Sequence, residues 1–565
     1  MGDYCSVEQE VDISTYWVER DQVHVGRIEI GKAASIGARS TILPGARIGA
    51  SASIEAGSAV TARKKVKANA RWAGSPARKV GKVRNNWPQE APPRRPAWVT
   101  IYGVTSIVLS LLPLLALASA AAFVFFGLSL SNLGATGSVS LGSFLAYSAL
   151  WAAPAGLLAF AVYMGLTWIL VRALSLGLQP GVVPVRSARG WRIWSIERLM
   201  DAARTHLFPL YAAQLTPLWF RSLGAQIGKD AEISTAVMVP RFAEVKEGAF
   251  LADDTMVGGY ELGGGGWMLS GHTRVGKRSF LGNSGIAGPQ RNLKKNSLVA
   301  VLSSTPKKTK AGSNWMGSPP ERLRRVEVDS EGDNRTYNPT FTLKFARGVV
   351  ETLRLLAPMV STMLFVAVLA VMQWVLVHGG VWVLFATSGL ILIGAGFFAA
   401  LVTVLMKWLC VQQIKAGDHA LFSGFVWFNE LQDQFVETVA GPWFLAHTLG
   451  TGSLNIFLRA LGAKIGRGAW MDSYWLPEAD LVRIGRGATV GPGCVVQTHL
   501  FQDRVMSLDE VTVAEGATMG PHSVALPAAA LAKNAAVGPA SLVMRGDHVP
   551  PNTRWQGNPI EIWRD

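Results

Sequence analysis

Residues 28–62 read "IEIGKAASIGARSTILPGARIGASASIEAGSAVTA", with Ile30, Ile36, Ile42, Ile48, Ile54 and Val60 standing six apart. A helix repeats its face every 3.6 residues and a simple strand every two, so neither explains a period of six. Short strands joined by tight corners do. One aliphatic side chain of each hexapeptide points inward, small residues and glycines take the corners, and the chain winds into a three-sided parallel β-helix. No single coil buries its inward residues; a stack of coils does.

The same period returns further along the chain. Near the C-terminus Ile484, Val490 and Val496 lie six apart, as do Val513, Met519, Ala525, Leu531, Val537 and Val543. In the middle the pattern is looser: Ile227, Ile233 and Val239, then Val275, Leu281, Ala287, Leu293 and Val299. The entry "FRSLGAQIGKDAEIST" of this middle unit matches "LRALGAKIGRGAWMDS" of the last at seven positions. Each unit also closes on one kind of bend: "WAGSPAR" at 72–78, "WMGSPPER" at 315–322 and "WQGNPIEI" at 555–562. Gly and Pro there turn the backbone away after an apolar ring has packed. Three copies of one unit follow. Each breaks its period once, at 14–27, 258–274 and 497–512, and a loop thrown out of a rigid solenoid is a common carrier of functional groups.

Between the units the composition changes. Apolar residues make up 49% of the chain and charged ones 16%, and mean hydropathy is positive. Four stretches, about 99–130, 141–171, 355–377 and 380–406, are long and apolar enough to cross a bilayer. They come as two hairpins, the first joined by the uncharged "SNLGATGSVSLG". Arg172, Arg186, Arg189 and Arg192 follow the first pair, and Lys344, Arg347, Arg354 and Lys407 flank the second. Positive flanks stay in the cytoplasm, which places all three soluble units on that side of the inner membrane. The domains expected are a first β-helix at 1–83, a membrane hairpin at 98–172, a second β-helix at 200–328, a hairpin at 353–407 and a third β-helix at 420–565. The first unit lacks the hairpin and amphipathic lead-in that precede the other two, so a missing upstream segment is expected.

Net charge is +16, yet no basic tract interleaved with aromatics suggests a nucleic-acid module. Cys5, Cys410 and Cys494 are far apart, which predicts neither a disulfide framework nor a metal site. The Gly run "GGYELGGGGW" opens no helix and is no nucleotide fingerprint, and no H-H-x-x-x-D occurs.

The hexapeptides, the ejected loop and the G-[SN]-P bend resemble the left-handed β-helix acyltransferases. That resemblance implies left-handed coils, active sites between neighbouring β-helices, a loop His as general base and an acyl-CoA donor. The alternation of spans with β-helices and the stretch "VVQTHLFQDRVM" (495–506) resemble the C-terminal half of the ε-poly-lysine synthetase-type nonribosomal peptide synthetases. This implies an adenylation domain and a carrier domain, upstream or in trans, whose phosphopantetheine thioester delivers amino acids. No adenylation-type phosphate loop is present. "LGNSGI" (281–286) sits on the hexapeptide period and reads as a corner rather than a carrier serine.

Aligned on the period break, Tyr16, Tyr260 and His499 hold equivalent places. Only His499 titrates where a base for an attacking amine is needed. Asp503 or Asp509 would orient the ring, and spacing does not choose between them. His522 sits at a coil corner, and His24 and His272 lie off the equivalent position. Arg63, Lys64, Lys65 and Lys67, with Lys307, Lys308 and Lys310, precede the first two bends. They suit the phosphate of a phosphopantetheine or CoA arm as point charges, or an ordinary cationic face beside anionic lipid.

The first reading is a peptide-bond-forming, membrane-bound region of a nonribosomal peptide synthetase-like enzyme that makes a homopolymer or short peptide. Its partners would be the carrier and adenylation domains, an amino-acid or peptide acceptor and membrane lipid, with an oligomer allowed. The second is an acyl-CoA-dependent O- or N-acyltransferase of a cell-envelope precursor, and the third a non-catalytic scaffold. The three units are expected to close into a pseudo-threefold ring, inside one chain or between chains, with one composite site.

Overall fold

The computed structural model describes residues 1–19, 22–83, 87–88, 90, 92–93, 95–130, 141–324 and 333–563. Most of the uncharged connection at 131–142, and position 328, lie outside them.

In the first unit, two-residue strands pair in parallel with partners 18 residues apart: Ser35 with Ser53, Thr41 with Ala59 and Arg47 with Lys65. Eighteen residues are three hexapeptides, so each coil contributes one rung to each of three sheets. The second and third units follow the same plan: Phe280 pairs with Leu298, and Thr518 with Ala536. The inward residues form a buried column in each unit, from Ile36, Ile42, Ile48, Ile54 and Val60 to Val513, Met519, Ala525, Leu531, Val537 and Val543. Coils approach so closely that a Cβ on Gly49 would lie 2.5 Å from the backbone nitrogen of Ala68, which is why Gly follows the inward residue there.

The period breaks are antiparallel hairpins. Tyr16–Glu19 pairs with Gln22–Val25, Tyr260–Gly263 with Trp267–Ser270, and His499–Gln502 with Val505–Leu508. In the second and third units a third strand joins, Gly181–Pro184 and Gly417–Ala420, each from the chain just after a long apolar helix.

The three units close into a ring within the one chain, and each hairpin reaches over the preceding unit. The second hairpin meets the first unit, where Ser6 Oγ donates to Gly263 O at 3.0 Å and Leu262 N–H donates to Glu8 at 2.5 Å. The third meets the second through Phe250 and Phe501, ring centroids 5.5 Å apart. The first meets the third through Arg554 and Glu19 at 3.2 Å.

The bends lock the ring in the same cyclic order. Trp72, Trp315 and Trp555 each pair with the inward residue of the last coil, Ile54, Val299 and Val537. Beyond them, Ser75 Oγ donates to Pro539 O of the third unit, Ser318 Oγ to Ala56 O of the first, and Asn558 Nδ2 to Leu302 O of the second. The bends also touch one another: a Cβ on Gly317 would stand 2.9 Å from Asn558 O, and one on Gly557 would stand 3.3 Å from Ser75 O.

Among the described residues, three helices are long and apolar enough to cross a membrane: Ala97–Ser129, Leu145–Ser175 and Phe341–Cys410. Straight, the last would run about 105 Å, far beyond a hydrocarbon core of about 30 Å. It breaks at Gly380 (φ 78°), and Leu364, Val368, Ala395 and Ala399 from its two sides share one buried cluster. Matching indoles tie helix ends to the units: Trp168 Nε1 donates to Ser222 O at 3.2 Å and Trp408 Nε1 to Ala460 O at 2.9 Å.

Three of the cations read as positive flanks have a structural role as well. Arg347 is buried against Glu351 (2.7 Å) and Glu232 (3.3 Å), Arg354 against Glu430 (2.5 Å), and Lys407 against Asp480 (2.7 Å). Burying such a charge is tolerated only when it is paired; these pairs fix the second long apolar segment on the second and third units.

Gly317→Ala should lower the apparent melting temperature of the solubilised protein, at a cost of about 1–3 kcal/mol. Gly546→Ala should cost less, because Gly546 (φ 77°) has open space around its Cβ position and bears only the backbone strain. Equal shifts would show that the bends do not hold the ring.

Candidate active site

The ring sets His499, the first residue of the third hairpin, over the second unit. His499 lines a cavity of about 400 Å³ whose walls come from the second unit (Asp253, Asp254, Asn283), the third (Tyr474, Trp475, Gln497) and the connecting helical segment (Asp433, Glu437).

His499 Nδ1 lies 2.9 and 3.0 Å from the two carboxylate oxygens of Glu478. Glu478 is wholly buried and His499 is 8% exposed. Thr498 Oγ1 donates to Glu478 Oε2 at 2.6 Å, and Asn429 Nδ2 to Oε1 at 2.8 Å. A buried carboxylate with three donors is satisfied as an anion. Burial alone would lower the imidazole's pKa, but the Glu478 charge and hydrogen bond, with Asp253 and Asp433, outweigh it and raise His499 to about 9. In Glu478 itself burial pushes up, and His499, Thr498 and Asn429 together bring it below the usual carboxylate value. Fixing Nδ1 on the carboxylate leaves Nε2 as the nitrogen for chemistry.

Two more carboxyls face the same space. Burial, then the Glu478 charge, pushes Asp433 well above the carboxylate range. Burial raises Glu437 to about 7, against the pull of the Tyr474 hydroxyl, which donates to it at 3.4 Å. A base beside carboxyls whose hold on a proton is strengthened can both take and return a proton.

The carboxylate that orients the ring is therefore Glu478, neither Asp503 nor Asp509. Asp503 occupies the hairpin turn (φ 50°), four residues along an extended strand from His499, or about 13 Å. Asp509 accepts the Glu510 N–H at 2.8 Å in its own loop. The basic residues are also elsewhere. Arg63, Lys64, Lys65, Lys67, Lys307, Lys308 and Lys310 are all exposed, and none lines this cavity. Ser284 is a coil corner (φ 55°) whose hydroxyl donates to Asp254 at 2.9 Å. His24 stacks on Trp17 and His272 packs edge-on against Phe242, while His522 Nε2 lies 3.2 Å from Asp12.

Tyr16 and Tyr260 open their hairpins as His499 does, but among the described residues neither has a hydrogen-bonded carboxylate like Glu478. In the second unit Val239 takes that place, just before the matching 3-10 turn. An acid standing where the sister unit carries a buried valine was the signal in the sequence; Asp433, Glu437 and Asn429, on the preceding helical segment, left none.

No protein-family model matches the sequence. The chain is 29% identical over 583 residues to the delta-poly-L-ornithine synthetase of Acinetobacter baumannii strain AB307-0294, covering 99% of this chain and 43% of that protein. The chain is similar to a poly-ornithine synthetase. It spans less than half the length of that synthetase. Among solved structures, a maltose O-acetyltransferase from Clostridium difficile 630 matches at 15% identity over 20% of this chain and 73% of its own (TM-score 0.16). A serine acetyltransferase from Neisseria gonorrhoeae, in complex with serine, matches at 14% over 39% and 75% (TM-score 0.18). The parallel coils rest on their own strand register, independently of these likenesses.

A step that needs neutral His499 should accelerate as pH rises from 7 towards 9 and level off beyond, because the raised pKa keeps the ring protonated at neutrality. Glu478→Gln removes the charge that holds that proton, so the limb of the pH–rate profile should move to lower pH while the maximal rate falls. An unmoved limb would remove Glu478 from this role.

Proposed function

We propose that this chain is the amide-forming, membrane-bound part of an enzyme that joins amino acids into a homopolymer or short peptide. The observation that carries the reading is the buried His499–Glu478 pair in a cleft between two units. Similarity along nearly the whole chain to a protein named as a poly-ornithine synthetase supports it.

In this reading an aminoacyl thioester on the phosphopantetheine arm of a carrier domain enters the cleft. The amine of the acceptor attacks the thioester carbonyl; the C–N bond forms, the C–S bond breaks and a thiol leaves. His499 Nε2 takes the proton that the amine sheds, and the departing thiolate receives one. Glu478 holds the ring in orientation and stabilises its charged form. Asp433 or Glu437, each pushed up by burial, is placed to resupply a proton. The apolar helices form two membrane hairpins in the cytoplasmic membrane, the three units are left-handed β-helices on its cytosolic side, and the adenylation and carrier domains act upstream or in trans. The exposed Arg63 to Lys67 and Lys307 to Lys310 clusters then serve as a cationic face towards carrier domain or lipid.

The test supplies the purified protein with ornithyl-pantetheine thioester and free ornithine. Amide product should form, and His499→Ala should slow it by roughly 10²–10⁴-fold, the usual range for losing a positioned acid–base group. Undiminished product from His499→Ala would overturn the assignment. Turnover of acyl-CoA with no use of the thioester would favour an acyl-CoA-dependent acyltransferase instead.

A further inference from the structure

A second cavity, of about 650 Å³, lies where all three units meet. It adjoins the His499 cavity: Arg204, Asp254, Ser284, Trp475, Val495 and Val524 line both. The larger chamber holds four carboxylates: Glu10, Asp12, Asp254 and Asp472.

Three of them have side-chain partners within the chamber. Glu10 and Asp254 share Arg39 and Arg204, with Arg39 at 2.7 Å from Glu10 and 2.8 Å from Asp254. Asp12 accepts from Ser14 Oγ at 2.6 Å and faces His522 Nε2 at 3.2 Å. Asp472 differs. Its backbone N–H pairs with Val490 O, but among the described residues its carboxylate has no salt-bridge partner, and burial raises its pKa. On either side in sequence stand Trp470 and Trp475, which line the same chamber and are 41% and 47% exposed. Large indoles left bare beside a half-buried, uncompensated carboxylate are costly for a surface without a ligand. The same combination is favourable around an organic cation, which takes the charge of one and the π faces of the others.

We propose that Asp472, Trp470 and Trp475 form a subsite for a primary ammonium group of the acceptor, an amino acid or short peptide held in the three-unit chamber. This rests on the amide-forming reading of the His499 cleft, and adds to it where the second substrate waits. Trp475, which lines both cavities, stands on the path between them. An ammonium on Asp472 anchors one end of the acceptor, while the amine to be joined extends past Trp475 towards His499.

The experiment is equilibrium binding by calorimetry of the whole detergent-solubilised chain with 1,5-diaminopentane, a dication without a carboxylate. Wild type should bind it saturably, Asp472→Asn and Trp470→Ala should each weaken binding roughly tenfold or more, and Asp472→Glu should retain most of it. The readout is binding rather than turnover, so it stands even if His499 proves to have no part in catalysis. No saturable binding by wild type, or unchanged binding by Asp472→Asn, would overturn the subsite. So would equal losses in Asp472→Asn and Asp472→Glu, because a carboxylate would then be irrelevant.

Discussion

Everything at the candidate site depends on ring closure. A β-helical stack satisfies its own backbone and buries its own aliphatic column, so a single unit has no need of its neighbours and no cleft to offer. The cleft exists because Ser75, Ser318 and Asn558 each hold a backbone carbonyl of the preceding unit in the ring, and because glycines let the bends meet. With the bends held, each hairpin is delivered across a unit boundary. That brings His499 over Asp253 although 246 positions separate them in the chain.

The second dependence is electrostatic. Neutral Glu478 would be an acceptable buried acid, and neutral His499 an acceptable buried ring; together they stabilise one another as ions in a place that penalises either ion alone. The same logic fixes the long apolar segments, where Arg347, Arg354 and Lys407 are each buried with a carboxylate supplied by a different part of the chain. These three charges beside the long apolar helices thus join helices to solenoids.

The solenoids were legible in the sequence because their signal is local and repeated: one aliphatic every six residues, with Gly where coils touch. The alignment of Tyr16, Tyr260 and His499 was legible for the same reason, since interruptions of a strict period keep their place. The carboxylate partner was not. Asp503 and Asp509 lie near His499 in sequence, but the extended hairpin carries the first away and the second turns into its own loop. Glu478 lies 21 residues upstream, at a place where the coil before the hairpin passes beneath it. Proximity across stacked coils follows the 18-residue winding and its insertions, which residue spacing alone does not reveal. Asp433 and Glu437 come from a helical segment whose docking is decided by tertiary packing against the long apolar helix, and no periodicity encodes that.

One consequence follows from the ring being a single polypeptide. A ring of three identical subunits has to repeat every substitution three times, so a residue good for one boundary is imposed on all. Here each boundary has its own codons. His499 and Glu478 stand at one boundary, with Tyr260 and Val239 at the sister boundary, and Asp472 with its two exposed indoles stands where the third unit faces the central chamber. Threefold architecture is kept for rigidity while its degeneracy is abandoned, which lets adjacent cavities specialise in different tasks and gives the molecule a direction.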